Sequence, residues 1–178
     1  MNATHGATPL HNSYAMLHLD FSQVTGTIDE LSYRFNEYCC ILLNGFGQEY
    51  EHLFYPGFAQ DVSKERDANA KINFIGYKAK ICHVPLYLII DEYDNFTNTV
   101  LNHHCEDIYH GLTHGEGFYR DVFKLFKPNF ERVLMLGVSP VTMDDLTSGY
   151  NIATNNTADA SFNQMLGFSE EEVREMFQ

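Results

Sequence analysis

The 178 residues suffice for one domain with a substantial core, and 44% hydrophobic and 14% aromatic content rule out a disordered chain. With 24 acids against 11 bases the formal net charge is −13, which excludes non-specific binding of DNA, RNA or anionic membranes, because such binding needs clustered Lys and Arg. No apolar stretch approaches the ~20 residues needed to cross a bilayer. The opening MNATHGATPLHNS lacks the basic and apolar regions of a signal peptide, so a cytoplasmic protein is expected.

Residues 1–13 read as a loose segment and residues 14–178 as one domain. Tyr14 to Phe21 (YAMLHLDF) predicts a strand, with Leu17, Leu19 and Phe21 on one face and Met16, His18 and Asp20 on the other. The second face is only partly apolar, which suits an edge or near-edge position. Thr27 to Glu30 is a capping box opening a helix to about Asn44, with Ile28, Leu31, Phe35, Tyr38 and Leu42 as its buried stripe. Gly45 to Asp61 is rich in glycine and aromatics without clear period, and is read as loop or short helix. Ser63 to about Ile81 is predicted to become helical toward its end.

Leu86 to Asp91, after Pro85, reads as a strand buried on both faces, as in a parallel sheet covered by helices. Asn98 to Tyr109 and Gly117 to Phe126 read as helices, the second broken by Lys127-Pro128-Asn129. Glu131 to Val138 reads as another buried strand, ending in Ser139-Pro140 and a long polar loop through Thr157. Ser169 to Glu172 is a second capping box before a final helix. Strands alternating with helices in this order predict an α/β protein with a parallel sheet.

The motif with most chemical content is PLYLIIDEYD, Pro85 to Asp94. An apolar strand ending in two adjacent acids, Asp91 and Glu92, delivers carboxylates to the strand tips, where open α/β sheets bind ligands. This is the Walker B pattern, in which the first acid holds Mg²⁺, usually through water, and the second activates the attacking water. The structural alternative is that the acids cap the next turn or helix, a role that Asp94-Asn95 would also fit.

Other groupings carry weaker chemistry. His103, His104, Cys105, His110 and His114 crowd one region, and His110 and His114 have the i,i+4 spacing of a helical zinc pair. There is no HExxH or CxxC, and Gly111 separates the pair, so solvated or core histidines are the favoured reading. Adjacent Cys39 and Cys40 suggest one core and one boundary position on a helix rather than redox chemistry, with no basic neighbour in sequence to lower a thiol pKa. With Cys82 and Cys105 they are expected to be reduced. Asp144 and Asp145 read as metal carboxylates or helix caps. In an assembly Arg120 or Arg132 could act as a finger on a γ-phosphate, and the sequence singles out neither.

Four stretches, HLDFS, PLYLIIDEYDNF, RVLMLGVSPVTMDDLTSGYNIA and FNQMLGFSEEEV, occur here in the order found in the AAA-ATPase-like family, which the chain resembles from about Tyr14 to Phe177. These are bacterial P-loop proteins often joined to a PD-(D/E)XK-type nuclease-like domain. The resemblance implies a partial P-loop NTPase (AAA-like) three-layer sandwich, with a mainly parallel sheet and the P-loop strand missing. Leu86–Asp91 would be central, Tyr14–Phe21 on one flank and Arg132–Val138 on the other. It implies Mg²⁺ and ATP as ligands, Asp91 as the Mg²⁺-associated acid, Glu92 as catalytic base, and Ser139 as the sensor touching the γ-phosphate or water, with Thr142 as fallback.

The departure is the phosphate cradle. None of the six lysines (Lys64, Lys71, Lys78, Lys80, Lys124, Lys127) follows a glycine, so no GxxxxGK[ST] loop is present. The expectation is an internal portion of a family member, inactive alone, which takes ATP only if a P-loop segment is supplied. It would self-associate or capture a partner strand through the 132–138 edge. The alternative is a non-catalytic interaction module using that edge and an acidic surface; a small metalloprotein built on the histidine cluster is the third reading.

Overall fold

Three parallel strands form the sheet in a computed structural model that describes residues 10–26, 28–95, 118–138 and 170–177, with Thr154, Asn156, Thr157 and Asp159. In chain order the elements are β1 (Ala15–Asp20), α1 (Ile28–Glu49), α2 (Phe58–Lys64), α3 (Ala68–Cys82), β2 (Leu86–Asp91), α4 (Phe118–Asn129), β3 (Arg132–Met135) and α5 (Glu170–Met176). The sheet order is β1-β2-β3, and both pairings are parallel. The fold is therefore α/β, and β2 lies between the two neighbours expected for it.

Alternation decides which face of the sheet is dry. Ala15, Leu17 and Leu19 of β1 are buried, as are Leu86, Leu88 and Ile90 of β2. They join one core with Leu31, Phe35, Cys39, Leu43 and Phe46 of α1, Ile72 and Ile75 of α3, and Val122, Phe123 and Phe126 of α4. On the other face Met16 and His18 are exposed and Tyr87 and Ile89 half-buried. Topology accounts for the one-sidedness: both crossovers step the same way across the sheet, and right-handed crossovers then leave their helices on the same side. The described residues supply the sheet and one helical layer of the expected sandwich. β2 is accordingly dry on one face and half-covered on the other, which corrects the reading of full burial.

Aromatic packing closes the core beneath the strand tips. Phe21 is fully buried and meets Phe35 and Phe123 edge-to-face, with ring centroids 5.2 and 6.5 Å away. Each such ring pair adds about 1 kcal/mol to the area it buries. Phe21 thus joins the end of β1 to both α1 and α4.

Several boundaries differ from the sequence expectation, for identifiable reasons. α1 runs five residues past Asn44, because Gly47 lets α2 approach closely: a Cβ there would meet Val62 at 3.3 Å and Ala59 at 3.4 Å. Its buried stripe drifts from Tyr38 and Leu42 to Cys39 and Leu43, both 1% exposed, while Tyr38 and Leu42 are partly buried. Cys39 is the core thiol and Cys40 the boundary one, as expected, and burial pushes both thiols up. α3 begins at Ala68, where the Asp67 carboxylate accepts the Ala70 N–H at 2.8 Å.

Pro128 does not break α4; it sits in the last turn, where its missing N–H removes a single intrahelical bond. Asn129 closes that turn by donating its side-chain amide to the Leu125 carbonyl at 2.9 Å. β3 is shorter than expected and not buried: Arg132 is exposed and Val133, Leu134 and Met135 are half-buried. Among the described residues it pairs on one flank only, with β2. The predicted helix 98–109 and the Thr27 cap lie outside the described residues, as does most of the 1–13 segment; Leu10 to Asn12 form a turn. Among the described residues, no helix is long and apolar enough to cross a membrane.

The α3–α4 contact turns on Gly76. A Cβ there would fall 2.1 Å from Asn129 Oδ1 and 2.7 Å from its Cβ, so rotating the amide would not relieve the contact. Gly→Ala in a helix interior ordinarily gains about 1 kcal/mol. Overpacking of this kind costs about 1–3 kcal/mol. Gly76→Ala is therefore expected to lower stability by about 1 kcal/mol net in urea unfolding, and Asn129→Gly in the same chain to recover the loss. A Gly76→Ala chain more stable than the parent would contradict the close approach.

Candidate functional site

The strand tips bring together acids that are far apart in sequence. In the β1–β2 register Asp20 is the partner of Asp91, so adjacent parallel strands, about 4.8 Å apart, both end in a carboxylate on the half-open face. Glu92 follows at once. Asp20 was not singled out as a site residue in the sequence; the signal was its position at the end of an alternating strand, which gains meaning only once the register is known.

The two aspartates are held differently. The Asp20 carboxylate turns into its own loop: Oδ1 accepts the Ser22 N–H at 3.0 Å and the Ser22 hydroxyl at 2.7 Å, and Oδ2 accepts the Gln23 amide at 3.0 Å. The Ser22 hydroxyl is the main cause holding its pKa below the usual 3.8, against partial burial and with help from Gln23, the Ser22 N–H and the nearby His18. The Tyr38 hydroxyl accepts the Asp20 N–H at 2.7 Å, fixing the strand end against α1. Asp91 is half-buried, and its Oδ1 accepts the Glu92 N–H at 3.0 Å.

Glu92 itself has φ of +52°, in the left-handed region that side chains other than glycine rarely adopt. The turn is closed by the Asn95 N–H donating to the Glu92 carbonyl at 2.9 Å. Backbone strain of this kind collects at functional sites. The capping alternative keeps support: Asp91 binds the next backbone N–H, and Asp94, fully buried, directly precedes a helical residue at Asn95.

The donor set fits magnesium in one respect. Mg²⁺ takes hard oxygen ligands and usually binds one or two carboxylates, completing its shell with water and substrate phosphate. Asp91, with Glu92 beside it, offers such a set at the rim. Among the described residues no group of three or more His, Cys, Asp or Glu is placed to cage an ion.

Ser139, Thr142, Asp144, Asp145 and the cluster His103, His104, Cys105, His110 and His114 lie outside the described residues, as does the side chain of Arg120. Arg132 opens β3 and so stands at the opposite end of the strand from the rim, which removes it as a finger on a phosphate bound there by this chain. A shallow depression lined by Gln48, Glu51, His52 and Tyr55 opens at the C-terminal end of α1, also away from the strand tips.

Two outcomes follow. Glu92→Gly should raise stability by about 1 kcal/mol in urea unfolding, because glycine adopts the left-handed conformation without a Cβ penalty. An unchanged or lowered stability would place Glu92 outside that conformation in solution. Asp20 should titrate below 3.8 by NMR, with Ser22→Ala moving it upward. Since the folded value is depressed, its contribution to stability is complete above 3.8 and is lost as pH falls through the lower folded value.

Residues 2–147 match the model of the AAA-ATPase-like family, described as predicted AAA-ATPase. No curated protein and no solved structure matches the chain.

Proposed function

This chain belongs to the AAA-ATPase-like family, and we propose that it carries the acid half of a Mg²⁺-dependent ATP-hydrolysing site whose phosphate cradle comes from elsewhere. The observation that carries the reading is the placement of Asp91 and Glu92 at the tip of β2, with a parallel strand paired on each side. In this reading Asp91 orients the ion, chiefly through its water shell. Glu92 accepts the proton of the attacking water, and its backbone turn aims the carboxylate at the rim. Ser139, the residue after Val138, is proposed as the sensor of the γ-phosphate. Bound Mg²⁺ would supply charge neutralisation on the transferring phosphoryl oxygens.

ATP affinity without a Gly-Lys-Ser/Thr loop is expected to be weak. The 178 residues contain no such loop, and the net charge of −13 repels a polyphosphate unless local donors are organised to hold it. Titration calorimetry of the chain with Mg-ATP should give a Kd no tighter than about 1 mM, or about 4 kcal/mol. Co-expression with the P-loop strand and helix of a family member should then yield hydrolysis that Glu92→Gln lowers by about 100-fold or more. Micromolar affinity for the chain alone, or hydrolysis indifferent to Glu92, would overturn the proposal.

A second reading, a protein-interaction module working through the sheet edge, is favoured by β3. Among the described residues its outer flank has no strand partner, Val133, Leu134 and Met135 are half-buried, and Val138 just beyond it is 82% exposed. Exposed edges of apolar strands recruit other chains. Light scattering at rising concentration should show self-association that Leu134→Lys suppresses; a monodisperse monomer throughout would count against this reading.

A further inference from the structure

Immediately after the acid pair the chain is fastened to both neighbouring strands. Asp94 is 0% exposed, and its Oδ1 accepts the Val138 N–H at 3.3 Å. The Tyr93 N–H donates to the Leu136 carbonyl at 3.2 Å, and the Leu136 N–H donates to Ile90 at 2.8 Å. Gly137 lies against this turn: a Cβ there would stand 2.5 Å from Tyr93 Cε1 and 2.7 Å from Asp94 Oδ1. On the other flank the Asn95 side-chain amide donates to the Phe21 carbonyl at 3.0 Å, across the exit of β1. The residues after Glu92 thus bridge the exits of all three strands.

A carboxylate so completely buried is retained only where hydrogen bonds compensate its lost hydration. Asp94 also stands just before a helical turn that begins at Asn95, so its carboxylate occupies a capping position while contacting β3. What Asp94 does contact is the exit of β3, with Gly137 as the one residue type that fits so close an approach.

We propose that Asp94 is a positioning residue: through the Val138 N–H and the contact with Gly137 it fixes the exit of β3 relative to Asp91 and Glu92. This rests on the reading of Asp91 and Glu92 as the Mg-ATP acids. Loss of the latch frees the β3 exit, lets the turn at Glu92 relax, and weakens the metal-binding geometry while the sheet and its helical layer persist. Tyr93, also buried, is the packing half of the same latch.

The test uses the full chain with Asp94→Ala and Asp94→Asn, the latter keeping an oxygen acceptor in nearly the same shape. Amide hydrogen exchange reports the latch directly. In Asp94→Ala the Val138 and Tyr93 amides should exchange about tenfold faster or more, while Leu17 and Leu88 in the sheet are unchanged; Asp94→Asn should restore much of the protection. Mn²⁺, standing in for Mg²⁺, is titrated by electron paramagnetic resonance. Removing an outer-shell support of this kind should weaken binding about tenfold, with partial rescue in Asp94→Asn.

Unchanged exchange at Val138 and Tyr93 in folded Asp94→Ala would overturn the latch. Equal Mn²⁺ affinity in parent and Asp94→Ala would overturn its positioning role. Should Asp94→Ala fail to fold, Gly137→Ala decides by the same two measurements, with faster exchange and weaker Mn²⁺ binding expected and parent-like values overturning the proposal. If the parent binds no Mn²⁺ while exchange responds as expected, the latch stands and the acid-pair reading falls.

Discussion

Backbone pairing of Leu86–Asp91 with a parallel neighbour on each side fixes where the acids proposed to do the chemistry stand. A strand held on one flank can slide or twist; a strand held on both has its register and its end point fixed. The end point here is Asp91, and Glu92 turns off it with a left-handed backbone. The buried face of β2, with Leu86, Leu88 and Ile90, anchors the strand to the helical layer. Because those side chains alternate strictly with Tyr87, Ile89 and Asp91, a slip of one residue would drive the carboxylate into the core. The hydrophobic effect thus sets the position of the acid.

The same ordering explains the asymmetry of the domain. Successive parallel strands lie side by side, and α1, α3 and α4 pack in one core with their buried face, as right-handed crossovers require. Met16, His18, Tyr87 and Ile89 remain on the other, with Tyr14 and Tyr87 in edge-to-face contact at 5.7 Å. Asp20 and Asp91 point to this half-open side. A phosphate cradle approaching the strand tips from the flank of β3 would meet them without displacing the aromatic core formed by Phe21, Phe35 and Phe123.

Much of this was legible in the residues themselves. The apolar run between Pro85 and Asp91 matched β2 residue for residue, and the alternation of Leu17 and Leu19 marked β1 as a strand with one wet face. The order of the three strands followed from the family resemblance rather than from pattern. What pattern missed has a common cause: close contacts between distant elements. Gly45 and Gly47 look like helix breakers, yet Gly47 serves the approach of α2, and α1 continues through both. Pro128 looks like a terminator but needs only the last turn of α4. The apolar residues of β3 suggested a buried strand, whereas Arg132 is exposed and Val133, Leu134 and Met135 are half-buried. Asp20, Asp94 and Gly137 acquire roles only through register and proximity, which no local window contains.

The central proposal is that the strand tips hold a divalent cation in a chain carrying a net charge of −13. Paramagnetic broadening of backbone amide signals by substoichiometric Mn²⁺ tests this most directly. The account predicts loss of signal concentrated at Asp20 to Ser22, Asp91 to Asn95 and Leu136 to Val138. Broadening centred on Glu37, Glu49 or Asp61, or spread evenly over exposed acids, would contradict it.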